Sequence, residues 1–160
     1  MLKKLLVFAL GVFLALPARA ELKVDIVAGA ANPISIAVQK FDVLGDVRSK
    51  DAAMIREVVE ADLKRTGLFR IVNHDAFPEY VKMHEMPNFQ SWAAIKTQVL
   101  VQAKLSAESD NRYRLEFFVW DVSGREQIEA QSLVASRGSV RRLAHIMADA
   151  IYERLTGEIG

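Results

Sequence analysis

The 160-residue chain contains no cysteine, and this is the most restrictive absence in its composition. Disulfide bonds and thiolate chemistry are excluded, so the fold must rest on an apolar core. Hydrophobic residues make up 51% of the chain, which is ample for one such core. The length is too short for two sizeable domains.

An excess of charge of either sign is also missing. The 21 lysines and arginines nearly balance the 20 aspartates and glutamates. A chain this close to neutral lacks the basic surface that binds nucleic acid, so no nucleic-acid partner is expected. The motifs G-x-S-x-G and H-E-x-x-H, the P-loop and the dinucleotide fingerprint are absent as well. The sequence therefore predicts neither an enzyme nor a cofactor or metal site.

The one run of residues that resembles a membrane segment lies at the amino terminus. Lys3 and Lys4 precede the apolar residues 5–16, and a small-x-small sequence follows at 18–20. This order is typical of a secretory signal peptide that is cleaved before Glu21. The apolar run is shorter than the ~20 residues that a spanning helix needs, so the mature chain is expected not to span a membrane. Removal of residues 1–20 leaves 18 basic and 20 acidic residues, a formal charge of −2.

A βαβ unit is predicted between residues 33 and 74. Residues 34–41 are mostly apolar and β-branched, which indicates a strand, and residues 68–72 indicate a second one. Between them, Ser49 is placed to cap a helix and Gly67 to end it. The buried stripe of this helix is predicted from the apolar residues at helical spacing, which are Ala52, Ile55, Val58, Val59 and Leu63.

Residues 73–90 lose this periodicity. They predict an irregular surface segment with one helical turn at 76–81, and Trp92 is then expected to open a helix. A three-stranded meander is predicted next, from apolar alternation in residues 99–105, 113–119 and 128–134. Phe118 and Trp120 point away from the face of Phe117 and Val119. Both faces of the sheet are thus partly apolar, as expected where helices or another domain cover the second face.

The last predicted helix begins after the cap Ser139 and ends at Gly157. The predicted fold class is mixed α/β, with two main helices packed on a sheet of about five strands. A right-handed crossover is expected in the βαβ unit. The buried stripe of the last helix is predicted to be Val140, Leu143, Ala144, Met147, Ala150, Ile151 and Leu155.

Several segments carry a family likeness. Residues 58–69 are Val-Val-Glu-Ala-Asp-Leu-Lys-Arg-Thr-Gly-Leu-Phe, residues 89–92 are Phe-Gln-Ser-Trp, and residues 117–122 are Phe-Phe-Val-Trp-Asp-Val. The longest segment begins with Arg-Arg-Leu-Ala-His at 141–145 and continues to the end of the chain. In order and spacing these segments resemble the amino-terminal domain of the TolB family, periplasmic components of the Tol-Pal envelope system. The resemblance covers nearly the whole mature chain.

The resemblance implies that residues 33–160 form a domain similar in fold to the anticodon-binding domains of some tRNA synthetases. In the TolB family this domain precedes a six-bladed β-propeller, which carries the main contact with Pal. Propeller repeats are absent from these 160 residues, so a contact with Pal is doubtful here.

The resemblance also implies that residues 21–32 form a mobile amino-terminal segment, which TolA recognises when it is free. Leu22, Val24 and Ile26 alternate with charged residues, and such a short strand beside a Gly-Ala hinge is easily released to join a partner's sheet. An ordinary, permanently paired edge strand is the alternative. The residues expected to contact TolA are Glu21, Leu22, Lys23, Val24, Asp25, Ile26, Val27, Gly29 and Asn32.

The last helix holds the main candidates for further chemistry. His145 and Asp149 lie four residues apart on one helical face, with Tyr152 beside them. An acid-base pair or a metal site uses such groups, but no third ligand or nucleophile accompanies them. We therefore predict that these three residues belong to a surface that contacts another domain. His74 and His84 are weaker candidates for a metal site.

Together these features predict a periplasmic, non-enzymatic component of the Tol-Pal system. Its role would be to help maintain outer-membrane integrity and envelope constriction during cell division. Residues 21–32 would alternate between a docked state and a free state that binds TolA. The alternative is a standalone periplasmic α/β module that binds another ligand or assists assembly outside the Tol-Pal system.

Overall fold

The computed structural model describes residues 32–109 and 111–159. The predicted leader and residues 21–31 of the predicted amino-terminal segment lie outside these residues. The described elements are β1 (Ile34–Val38), β2 (Asp42–Leu44), α1 (Ser49–Arg65), β3 (Phe69–Ile71), α2 (Phe89–Ala94), β4 (Val99–Glu108), β5 (Arg112–Asp121), β6 (Glu126–Ser136) and α3 (Val140–Thr156), with 3₁₀ turns at His74–Ala76 and Arg137–Ser139.

The strands form one mixed sheet in the order β3-β1-β4-β5-β6, and β2 pairs with β4 beyond the end of β1. β1 runs parallel to both β3 and β4, whereas β4, β5 and β6 form the antiparallel meander. The predicted fold class, the βαβ unit and the meander are confirmed. The prediction of about five strands missed β2, because three residues that are half-buried or exposed leave no periodic pattern.

The helix α1 follows its predicted stripe, since Ile55, Val59 and Leu63 are all buried. The predicted cap is wrong. Arg48 occupies the N-cap position, and Ser49 is the first helical residue. In place of a serine cap, the buried Asp51 of the first turn accepts a hydrogen bond from Nε of Arg48 at 2.7 Å. A carboxylate is favourable there because the first turn of a helix has unpaired N–H groups and the positive end of the dipole.

The main core lies between the sheet and the helices α1 and α3. Gly67 lies just after α1, and Gly157 lies just after α3. Both have φ of +75°, a left-handed conformation that glycine adopts without strain. Ser139 is the N-cap residue of α3 as predicted, but its hydroxyl caps no helix N–H and instead shares a hydrogen bond with Ser136. The largest fully buried side chains on this side include Tyr113, Phe117, Leu115, Leu143, Met147 and Ile151.

The second face of the sheet is covered by residues 73–95. This segment is hydrogen-bonded to the sheet, because the amide nitrogen of Gln102 in β4 donates to the carbonyl oxygens of Lys82 and Glu85 at 3.1 Å each. Trp120 in turn donates to Oε1 of Gln102 at 2.6 Å. The apolar cluster beneath this segment consists of Ala37, Val72, Trp92, Leu100, Trp120 and Val122.

The predicted helical turn at 76–81 is wrong, and so is the expectation that Trp92 opens a helix. Helical structure falls instead at His74–Ala76 and at Phe89–Ala94, each preceded by an asparagine. The side chains of Asn73 and Asn88 accept hydrogen bonds from the N–H groups of Asp75 and Ser91. Such caps start short helices where no apolar periodicity exists.

Candidate interaction surfaces

The predicted TolA-contacting residues meet the described domain at its first residues. Of the segment 21–32, only Asn32 is described, and it is exposed at the edge of a hollow of about 390 Å³. The hollow lies where β1 begins, so it is the surface nearest to the end of the predicted segment. Its other lining residues include Pro33, Arg70, Lys96, Thr97 and Gln98.

This hollow is lined by two positively charged residues and by side chains that hydrogen bonds hold in place. The Arg70 guanidinium donates to Oγ of Ser35 at 2.9 Å, and the Ser35 N–H donates to Oε1 of Gln98 at 2.9 Å. Lys96 lies close by with φ of +59°, in the left-handed region. Oγ1 of Thr97 is buried and has no hydrogen-bond partner in the described structure. The hollow therefore offers two cations, Arg70 and Lys96, to a segment that enters it.

A second surface is a groove of about 670 Å³ between α1 and α3. The structure brings all three predicted residues of α3, His145, Asp149 and Tyr152, into its lining. The partner of His145 is not Asp149, however. Nδ1 of His145 lies 2.5 Å from Oδ2 of Asp62, whose other oxygen accepts from Arg65 at 3.0 Å.

Asp62 was missed in the sequence because the pair joins two helices that are 83 residues apart. Both oxygens of Asp62 have hydrogen-bond partners, Arg65 on one and His145 on the other, and the apolar side chains Leu63 and Ala148 form part of the groove. The ring of Tyr152 packs edge-on against Phe69, with centroids 6.3 Å apart. The groove thus joins a polar pair, Asp62 and His145, to an apolar wall.

The two remaining histidines are not brought together. Nε2 of His74 lies 2.7 Å from Oε1 of Glu60, and its ring contacts Phe77. The ring of His84 packs edge-on against Phe118, with centroids 5.2 Å apart. Within the described ranges no group of three histidine, aspartate or glutamate side chains is close enough to hold a metal ion.

A third hollow, of about 590 Å³, lies at the carboxyl ends of β1 and β3. Lys40, Arg56, Phe77 and Tyr80 are among its lining residues. The hydroxyl of Tyr80 donates to Oδ1 of Asp42. Partial burial, together with this hydrogen bond and the nearby carboxylate charges, raises the pKa of Tyr80 above its ordinary value.

Comparison with known proteins agrees with the sequence resemblance. The family model of the TolB amino-terminal domain matches residues 22–128. The chain belongs to this family. Over 152 residues it is 40% identical to the Tol-Pal system protein TolB of Paramagnetospirillum magneticum, a match that covers 94% of this chain and 34% of that protein. The chain thus spans about a third of the length of this relative.

Solved structures share the fold. TolB from Acinetobacter baumannii superposes with a TM-score of 0.67 at 22% identity, covering 81% of this chain and 30% of that one. The hypothetical protein CT253 from Chlamydia trachomatis superposes with a TM-score of 0.56 at 11% identity, covering 79% of this chain and 100% of that one. The fold therefore occurs both as part of a longer chain and as the whole of a solved chain. None of the helices in residues 32–159 has the length and apolar character that a membrane span requires.

Proposed function

We propose that this chain is a periplasmic interaction component of the Tol-Pal system, without catalytic activity, that helps to maintain outer-membrane integrity and envelope constriction during cell division. The observation that carries the proposal is the family match over residues 22–128, which includes nearly all of the amino-terminal segment. The 40% identity to a Tol-Pal system TolB protein supports the same system. A contact with Pal is not part of the proposal, because the chain spans only about a third of that relative.

The proposed mechanism is a switch in residues 21–32. In the proposed docked state the segment lies against the hollow at the start of β1, whose cations Arg70 and Lys96 are complementary in charge to the acidic residues of the segment. In the free state it pairs with TolA by strand addition. The proposed switch leaves β1 paired at its start, where the N–H of Ile34 donates to the Leu68 carbonyl at 2.8 Å. A ligand that binds only the free state shifts the equilibrium towards it.

Recognition of residues 21–32 is tested with this segment alone, without the rest of the domain. A synthetic peptide with the sequence of residues 21–32 and a scrambled peptide of the same composition are titrated into the carboxy-terminal domain of TolA. The native peptide is expected to bind and the scrambled peptide is not. Equal binding, or none, would contradict recognition of this segment. As a control for docking, Arg70→Glu with Lys96→Glu should strengthen TolA binding by the whole chain, because it weakens the docked state.

The groove between α1 and α3 is proposed as a contact surface for a neighbouring domain or protein. It carries Asp62, His145, Asp149 and Tyr152, and it ends near Ile159, which is 88% exposed.

A second candidate function is a standalone periplasmic module that binds another ligand or assists assembly. The match to the whole of the solved Chlamydia trachomatis chain favours it, because the fold occupies all of that chain. Affinity capture from a periplasmic extract distinguishes the two functions. Recovery of Tol proteins supports the first, and their absence together with a different reproducible partner supports the second.

A further inference from the structure

The strand β6 forms a long edge of the sheet. It is 11 residues long and pairs with β5, and no described strand lies beyond it. The opposite edge, β3, has only three residues. An edge strand presents unpaired N–H and C=O groups, and a long one can pair with another strand.

Two side chains show which backbone groups of β6 point outwards. The N–H of Ala130 donates to the carboxylate of Glu129 at 3.0 Å, and the carbonyl of Ile128 accepts from Nε of Arg154 at 2.6 Å. These groups therefore face away from β5. Because backbone direction alternates along an antiparallel strand, the N–H and C=O groups of Ser132 and Val134 also point outwards.

The side chains that bind outward backbone groups of this edge lie at one end, and Arg114 of β5 binds the Ser132 hydroxyl, not its backbone, at 3.0 Å. Glu129 and Arg154 cover the groups at 128 and 130, whereas residues 130–136, Ala-Gln-Ser-Leu-Val-Ala-Ser, contain no charge, proline or glycine. Sheets usually guard an exposed edge with lysine, proline or a bulge. The only irregularity here is opposite Val119 and Trp120, at the end that is already covered. Among residues 32–109 and 111–159, no strand pairs with the outward backbone groups of Ser132 and Val134, which are therefore available for pairing.

We propose that β6 pairs antiparallel with β6 of a second copy of this chain, about a two-fold axis at Leu133. Ser132 then faces Val134 of the second copy, and each exchanges both backbone hydrogen bonds with it. This proposal concerns a different surface from the TolA-binding segment and does not depend on it.

Charge complementarity selects this register. With the axis at Leu133, Glu129 of one copy faces Arg137 of the other at both ends of the paired segment. Only every second residue of β6 points its backbone groups outwards. An alternative register must therefore shift the two strands by two residues, so that Ser132 and Val134 still face the partner strand. The two neighbouring allowed registers, with Ser132 or Val134 facing itself, place Glu129 opposite Ala135 or Ser139 and remove the opposite-charge pair. Arg137 binds Asp46 at 2.9 Å through one nitrogen, Nη1, so the guanidinium retains Nη2 for a facing carboxylate.

A cysteine introduced at the axis tests the register directly, because the chain has no other cysteine. In the proposed dimer, Leu133 and its counterpart form a non-hydrogen-bonded pair with Cα atoms about 4.5 Å apart, within the range that a disulfide spans. Leu133→Cys should therefore form a covalent dimer when the reduced protein is treated with oxidised glutathione. The matched control is Ala135→Cys, on the same face, whose counterpart would lie about 14 Å away. It should remain monomeric on a non-reducing gel.

Sedimentation equilibrium of the full chain supplies the second measurement. The unmodified protein should show a concentration-dependent dimer, and Val134→Pro should weaken it at least tenfold by removing one outward N–H. Proline is tolerated at such an edge position, and circular dichroism would verify that the fold is retained. Val134→Thr keeps the N–H and should still dimerise. A monomer at every accessible concentration, or equal cross-linking of the two cysteine variants, would overturn the proposal.

Discussion

The hydroxyl of Tyr113 donates to the carboxylate of Asp51 at 2.9 Å, joining β5 to the first turn of α1 across 62 residues of sequence. Both side chains are buried, and the same carboxylate oxygen accepts from Arg48. The bond ties the start of the main helix to the middle of the antiparallel meander. It therefore links the βαβ half of the fold to the half that follows.

Replacing Asp51 by alanine is expected to lower the free energy of unfolding by about 2–3 kcal/mol, because the buried Tyr113 hydroxyl loses its acceptor. Urea unfolding followed by circular dichroism measures the change. Asp75→Ala, at an exposed aspartate in a 3₁₀ turn, is the matched control and should have little effect. The double variant with Tyr113→Phe should lose less than the sum of the single losses, since both remove the same bond. Strict additivity would contradict the coupling.

Trp92 anchors residues 73–95 to the second face of the sheet. It is fully buried, and its Nε1 donates to Oε1 of Glu79 at 2.9 Å. Trp92→Ala should lower the free energy of unfolding by about 3–5 kcal/mol through the cavity that it leaves. Trp92→Phe keeps most of the apolar contact and should cost clearly less. Thermal unfolding of both variants checks this, and equal losses would indicate that the hydrogen bond matters more than the packing.

The raised pKa of Tyr80 predicts a loss of stability in alkaline solution. Tyrosine in the unfolded chain loses its proton near its ordinary pKa of about 10, whereas Tyr80 in the folded chain keeps its proton to higher pH. The unfolded state then binds fewer protons, so the free energy of unfolding falls as pH rises above about 10. Tyr80→Phe should lose less stability over this range in urea titrations at several pH values. Parallel pH curves for the two proteins would show that the Asp42 contact does not hold Tyr80 neutral.

The pair formed by Asp62 and His145 belongs to a surface, and its stabilising effect should be small. The side chains are 18% and 48% exposed, and exposed ion pairs contribute about 0–1 kcal/mol. His145→Ala and Asp62→Ala should therefore keep nearly the full free energy of unfolding. Leu63→Ala, at the buried neighbour of Asp62, should cost about 2–5 kcal/mol. If His145→Ala were as damaging as Leu63→Ala, the groove would be part of the core and not a contact surface.

The long periodic elements were predictable from sequence. Apolar residues at helical spacing defined α1 and α3, and alternation defined β4, β5 and β6, because burial of one face imposes those periods. The short elements were not predictable in this way. Trp92 is buried by a six-residue helix that Asn88 caps, and its apolar contacts come from distant strands. Such a helix is fixed by tertiary packing more than by its own pattern.

The candidate surfaces were also predictable only where they lie on a long periodic element. His145, Asp149 and Tyr152 were identified because they recur on one face of a clear helix. Asp62, on the opposite wall of the groove, was missed because its pairing with His145 depends on how α1 and α3 cross. The contact of residues 21–31 with TolA lies outside the described residues and stays a prediction.

An NMR titration tests whether residues 21–32 bind TolA. Isotope-labelled chain beginning at Glu21 is titrated with the carboxy-terminal domain of TolA, beside a shorter version beginning at Pro33. Chemical-shift changes are expected to be concentrated in residues 21–32 of the longer protein and to be absent from the shorter one. Equal changes in both, or none in either, would contradict this expectation.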